Sequence, residues 1–236
     1  MDRRTFLKIC GGLAIGTAMG PLPQLVSSGQ INASAKNKWG MVIDISKCTK
    51  GCDKECMTAC RKEHNVPNFG NKKIDNYWIR VATLKQKFPN AQPQPIPLLC
   101  NHCENPFCVQ VCLVKASFKR KDGIVLIDEH RCIGCRYCMI VCPYKARSFV
   151  FKHHEKHTNP DSPKRQHGVV GKCDFCVSRI DNGLKPACVD VCPKEAMVFG
   201  NLNNPSDDVA KLVATGKAQR IRPDLVSNPK VYYLGL

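Results

Sequence analysis

Beyond its first 35 residues the sequence has no uncharged apolar run approaching the roughly 18 residues a membrane-spanning helix needs, so its body is not expected to cross a bilayer as a helix. It also lacks the usual constellations of catalysis. No nucleophile–base pair, glycine-rich phosphate loop or carboxylate dyad stands out, and the chain by itself is expected to catalyse nothing. Acidic residues are scarce, 19 against 36 lysines and arginines, for a formal charge of +17. Such a balance raises nucleic acid as a partner. The basic residues, however, neither gather into one stripe nor interleave with stacking aromatics, so no nucleic-acid binding is expected. Basic faces would instead meet an acidic partner subunit or anionic lipid headgroups.

Cysteine is what the chain has in excess, 17 in 236 residues. Setting Cys10 aside, the rest fall into four groups of four: Cys48, Cys52, Cys56 and Cys60; Cys100, Cys103, Cys108 and Cys112; Cys132, Cys135, Cys138 and Cys142; Cys173, Cys176, Cys188 and Cys192. In an exported chain so many cysteines would ordinarily be read as a disulfide framework. The N-terminus does read as an export signal. "MDRRTFLKICGGLAIGTAMG" carries the pair Arg3-Arg4 and then an uncharged apolar stretch from Ile9 to Met19, the pattern of a twin-arginine address. Ala33 and Ala35 offer an A-x-A cleavage site, so residues 1–35 are set apart as a signal peptide; kept uncleaved, the same segment would be an anchor, although Pro21 and Pro23 weaken it as a spanning helix. The twin-arginine route carries folded cargo, which suits a protein loaded with cofactor before export to the periplasmic face of the cytoplasmic membrane. Clusters of cysteines three or four residues apart are poor disulfide geometry and good metal geometry.

The third group identifies the metal chemistry. "CIGCRYCMIVCP" is C-x2-C-x2-C-x3-C-P, the run that in two-cluster ferredoxins gives three thiolates to one [4Fe–4S] cube and the fourth to its neighbour. Short spacers with a glycine such as Gly134 let the loop curl around a cube. Structural zinc would want two separated C-x2-C pairs closing one tetrahedron, which this continuous run fits less well. Between the second and third groups, "SFKRKDGIVLIDEH" reads as a hairpin turning at Asp122-Gly123. Pro143 and Pro193 turn the chain just past the last cysteines of their groups.

The spacings in "CNHCENPFCVQVC", "CIGCRYCMIVCP" and "CDFCVSRIDNGLKPACVDVCP", with the closing "RPDLVSNPKVYYL", resemble the four-cluster iron–sulfur subunits of the dimethyl sulfoxide reductase and polysulfide reductase family. With the twin-arginine signal, "CRKEHNVP" and "CPYKARSFVF", the chain looks most like the exported ferredoxin-like subunit of the transmembrane complex associated with dissimilatory sulfite reduction. The resemblance implies an α+β fold of two bacterial-ferredoxin-like modules, each a 2×[4Fe–4S] unit, with loop insertions and an extended C-terminal tail. It implies the inner module at 100–150 and the outer one from 36–99 and 151–200; residues 201–236, which carry no cysteine, are expected to form a wrapping tail that docks on the body or on a partner. It also implies a nested ligand scheme: Cys100, Cys103, Cys108 with Cys142; Cys132, Cys135, Cys138 with Cys112; Cys173, Cys176, Cys188 with Cys60; Cys48, Cys52, Cys56 with Cys192. The function implied is a relay of single electrons through up to four [4Fe–4S] clusters in a membrane-bound complex of anaerobic respiration. Its partners would be a membrane-integral quinone-reactive subunit and another redox subunit, such as a c-type cytochrome or a molybdopterin enzyme. A free-standing exported polyferredoxin carrier would show the same clusters, and a zinc-binding module is the remaining alternative.

The first group departs from that family pattern, for "CTKGCDKECMTAC" has one extra residue in each of its first two gaps. Positions i and i+4 share a helix face, so a buried cysteine stripe is one reading. Gly51, Asp53, Lys54 and Glu55 favour the other, a loop around a cluster. Four negative cubes would offset about −8 of the mature chain's charge, which is +15 without Asp2, Arg3, Arg4 and Lys8. His153, His154 and His157 read as loop residues, while His64 and His102 stand beside candidate ligands, either tuning them or merely exposed. Tyr77 and Trp78 in "NYWIRVATL" read as core aromatics of a strand. The proline-rich 88–97 stretch reads as a semi-rigid connector.

Overall fold

In a computed structural model the described residues are 34–48, 52, 54–84, 93–155 and 157–236. The expected twin-arginine signal and Cys10 lie outside them, except for the last residues of its cleavage site. Among the described residues no helix is long and apolar enough to cross a membrane.

The chain is mixed α+β, with small sheets and short helices. Its central sheet has the order β8-β1-β9, from strands β1 (Trp39–Asp44), β8 (Met197–Asn201) and β9 (Val231–Leu234). β1 pairs antiparallel with β8, Trp39 opposite Asn201, and parallel with β9, Met41 opposite Val231. Four consecutive buried residues in β1, Gly40 to Ile43, follow from a sheet covered on both sides. Met41 and Ile43 face a large core that also holds Met197, Val231, Tyr233 and several cysteines. Val42 and Tyr232 face the other way, onto Val209 of helix α6 (Asp208–Ala214). That alternation is the strand period of two, and each such side chain contributes roughly 1.5–3 kcal/mol by its burial. Asp207 caps α6, accepting from Val209 N at 3.4 Å, and ties it to β8 by accepting from Asn201 N at 2.9 Å.

The other sheets are two-stranded. β4 (Ser117–Lys119) and β5 (Val125–Ile127) form the hairpin expected at Asp122-Gly123, with Gly123 at φ +82°. β6 (Ser148–Phe149) pairs with β7 (Val170–Gly171).

Two expectations are corrected. Gln94–Leu99, read as part of a connector, is strand β3, antiparallel to β2 (Ile79–Leu84) with Val81 opposite Pro97 and Thr83 opposite Pro95. Two prolines two residues apart fit because both strands of a two-stranded sheet are edges, where alternate residues owe no ladder hydrogen bond. The 201–236 segment docks on the body through a core strand, with Val231 and Tyr233 buried against β1. Of the aromatics before β2, Trp78 is in the core, whereas Tyr77 is only half-buried.

Candidate metal centres

Three of the cysteine groups are built from the same local parts. The one-turn helices α2 (Phe107–Gln110), α3 (Tyr137–Ile140) and α5 (Ala187–Asp190) carry Cys108, Cys138 and Cys188, and the last cysteine of each group follows two residues later. Three residues past those last cysteines stand Lys115, Lys145 and Glu195, all left-handed at φ +53°, +47° and +47°. Each donates its N–H to the carbonyl of its cysteine, Cys112, Cys142 or Cys192, at 3.1 Å. The chain thus turns back after each of these three C-x3-C runs.

The first group turns out to be part loop and part helix. Lys54, at φ +59°, precedes helix α1 (Glu55–His64), which carries Cys56 and Cys60 one turn apart and both buried. Cys48 and Cys52 lie before it. The charged residues expected to keep the stretch in a loop include the helix's own first residue, Glu55, which suits a helix N-terminus.

The sixteen cysteines among the described residues are all free thiols, and their electrostatic influences show which of them lie near one another. Burial first, then Cys192 and Cys52, pushes the Cys48 thiol up to about 11. Cys56 is pushed up to about 12 by burial, then by Cys52 and Cys192. Cys60 has other neighbours: burial raises it, followed by Cys173, Cys188 and Cys176. Cys103 is raised to about 12 by burial and then by Cys100, Cys108 and Cys142. Burial also raises Cys138, helped by Cys132 and Cys135 and opposed by Arg147. Cys112 is held by Ser117 N–H, which donates to its Sγ at 3.4 Å; Cys192 takes Ala196 N–H at 3.3 Å in the same way.

Thiols crowded together where burial and one another disfavour their ionisation are a poor arrangement for themselves and a good one for a cation core. Other features fit such a core. Cys48, Cys52, Cys56 and Cys192 line a cavity of about 340 Å³ with Val81, Pro95 and Met197. Backbone N–H groups already point at sulfur, Ala187 N at Cys176 Sγ (3.4 Å) and Phe175 N at Cys173 Sγ (3.5 Å). Both flanking histidines are buried. His64 Nε2 lies 3.0 Å from Cys176 Sγ, and its ring packs on Trp78. His102 stacks on Phe175 with ring centres 3.7 Å apart, accepts from Val125 N through Nδ1, and has Nε2 buried without a hydrogen-bond partner. Burial holds its pKa well below the usual range, so the ring is neutral.

Sequence reasoning missed the buried cations. Arg147, Lys172 and Lys230 are each under 10% exposed. Lys172 Nζ donates to the carbonyls of Val125 and Cys173, and Lys230 Nζ to that of Gly123. Position gave a signal for the first two, since Lys172 precedes Cys173 and Arg147 lies five residues past Cys142.

Four-thiol sites on a ferredoxin-like α+β frame define an iron–sulfur protein. A model described as a 4Fe–4S dicluster domain matches residues 92–202. The chain is 44% identical to the Hdr-like menaquinol oxidoreductase iron–sulfur subunit 1 of Archaeoglobus fulgidus, over 100% of this chain and 98% of that one. The iron–sulfur cluster-binding subunit of Nitratidesulfovibrio vulgaris menaquinone reductase is 38% identical, over 84% of this chain and 89% of its own. The arsenate respiratory reductase iron–sulfur subunit of a Shewanella species is 35% identical, over 83% and 95%. This chain belongs to the family of 4Fe–4S iron–sulfur subunits of oxidoreductase complexes, as an electron-transfer subunit that binds [4Fe–4S] clusters and not as the catalytic one.

Proposed function

We propose that the chain is an exported electron wire of four [4Fe–4S] clusters, built from two ferredoxin-like modules, 100–150 inside 36–99 plus 151–200. The ligand sets are those of the nested scheme, including Cys48, Cys52, Cys56 and Cys192 despite their longer gaps. The observation that carries the reading is that neighbouring quartets lie within electrostatic reach of one another in series. Cys188 feels the charge of Cys56, Cys173 that of Cys100, and Arg147 faces Cys108 of one inner quartet and Cys138 of the other. The order is therefore Cys48/52/56/192, then Cys60/173/176/188, then Cys100/103/108/142, then Cys112/132/135/138. Cys135, the one exposed member among the sixteen, lies at one end, and the cavity beside Cys48 and Cys52 lies at the other.

When bound, a cluster supplies one-electron redox chemistry without a proton. The chain's own part is to hold the sites in line, keep water from the inner ones, and aim N–H groups and cations at the sulfurs. Arg3 and Arg4 direct the loaded protein to the periplasmic face of the membrane. There it would link a membrane-integral quinone-reactive subunit to another redox subunit, a c-type cytochrome or a molybdopterin enzyme.

Iron and acid-labile sulfide on anaerobically purified protein test the wire: about sixteen irons per chain are expected, whereas about twelve would remove the first site from it. Replacing Arg3 and Arg4 by lysine should leave the loaded protein in the cytoplasm. Periplasmic delivery of that variant would overturn the export reading.

A further inference from the structure

Two buried arginines of this chain are treated differently. Arg120 lies between two carboxylates, donating to Asp122 at 2.8 Å and to Asp181 at 2.7 Å. Arg147 has no carboxylate within ion-pair range among the described residues. Its Nη2 donates to Ser117 Oγ at 2.8 Å, and its Nη1 is buried with no hydrogen-bond partner. The guanidinium lies against the Cys138 thiol and faces Cys108 and Cys100. A cation carried this deep is costly unless negative charge surrounds it, and the negative charge at this place is that of two cysteine quartets. The position is specific to one of them. Five residues beyond the last cysteine, the three other groups carry Asn65, Ser117 and Met197, none of them a cation.

We infer that Arg147 is a positioning residue shared by the two inner clusters, which holds the reduction potentials of both upward and binds them into one electrostatic whole; this rests on the four-cluster reading above. A fixed positive charge beside a site favours its reduced, more negative state, and a hydrogen bond to a ligand sulfur acts in the same direction. An electron crossing between the two sites oxidises one and reduces the other with no proton moved. Arg147 then sees the same total charge before and after, so the crossing requires no rearrangement around it. The rigid anchor on Ser117 Oγ suits that role. Ser117 belongs to the hairpin strand β4 and itself donates its backbone N–H to Cys112 Sγ, so one short segment fixes both the cation and a candidate ligand.

The test is a redox titration followed by electron paramagnetic resonance on the anaerobically purified full chain, comparing wild type with Arg147→Gln and Arg147→Lys after iron analysis of each. About sixteen irons in the wild type upholds the four-cluster reading independently of Arg147, and fewer would sink that reading instead. In R147Q two of the four midpoint potentials should fall together, each by at least tenfold in the one-electron equilibrium constant, about 59 mV, while the other two stay. R147K keeps the charge but loses the forked donors, and should show a smaller fall confined to the same two. Unchanged potentials in R147Q, or a shift spread evenly over all four, would overturn the inference. If R147Q loads less iron than wild type, R147K decides: a fall in two potentials supports the role, and no fall or an even one rejects it.

Discussion

His64 and Cys176, 112 residues apart in sequence, meet with Nε2 and Sγ 3.0 Å apart in the buried interior. The ring comes from the last turn of α1, is packed on Trp78, and lies 3.5 Å from Asp174 Oδ1. With Cys176 bound as a thiolate, the neutral ring donates Nε2–H to it, and a donor to a ligand sulfur stabilises the reduced state. His64→Phe keeps a ring against Trp78 and removes the donor. One of the four potentials should fall, by about 1 kcal/mol on the scale of a hydrogen bond, and the other three should hold. A titration in which none of them moves would leave His64 a packing residue.

The crossing of the first and last groups gives a sharper expectation. Cys56 and Cys60 share a helix face, yet their thiols look to different quartets. Cys52→Ala and Cys192→Ala should therefore abolish the same resonance, and Cys60→Ala should remove a different one that Cys188→Ala also removes. Each variant should lose about four irons. A shared resonance for Cys52 and Cys60 would mean that the first group binds its own cluster without crossing.

What could be read in the sequence was whatever carries its own local geometry. "CIGCRYCMIVCP" and the Asp122-Gly123 hairpin depend on neighbours a few residues away, and the structure has the turn and hairpin there. Long-range pairing left no such trace: nothing around Val231 shows that it will lie parallel to Met41, from the other end of the chain. Pro95 and Pro97 were misread because proline ordinarily argues against a strand, and only the edge position makes it harmless. Arg147 read as one basic residue among 36 lysines and arginines. Its burial beside two quartets is a property of the packing.

Gly134 sits inside the C-x2-C loop at φ +69°, and a Cβ there would lie 2.1 Å from the Gly168 carbonyl oxygen and 3.1 Å from the Phe149 ring. Gly183 is as left-handed, at φ +75°, but has nothing within 4 Å. Alanine at Gly183 should cost only the backbone strain, roughly 1–2 kcal/mol. Alanine at Gly134 adds a collision with backbone that cannot step aside. Gly134→Ala should lower the apparent melting point further than Gly183→Ala and lose iron from the Cys132/135/138 site. Equal effects in a paired comparison of melting and iron content would show that the loop tolerates a side chain.

Lys230 makes stability depend on alkaline pH. Burial, the largest influence, lowers its pKa from 10.5 to about 8, and its Nζ is held by the Gly123 carbonyl. Between those two values the unfolded chain keeps a proton that the folded protein has released. The unfolded state therefore binds more protons over that window, and stability rises with pH across it. The rise is on the order of 3 kcal/mol at most, following from about 1.36 kcal/mol for each tenfold change in proton affinity. Below pH 8 lysine is charged in both states, and its desolvation acts in full against folding. Lys230→Met removes the group, so urea midpoints of wild type minus variant, taken anaerobically from pH 7 to 10.5, cancel what the remaining groups contribute. That difference should be flat up to about pH 8 and then climb in favour of the wild type. A difference independent of pH would mean that Lys230 keeps its ordinary proton affinity in the folded chain.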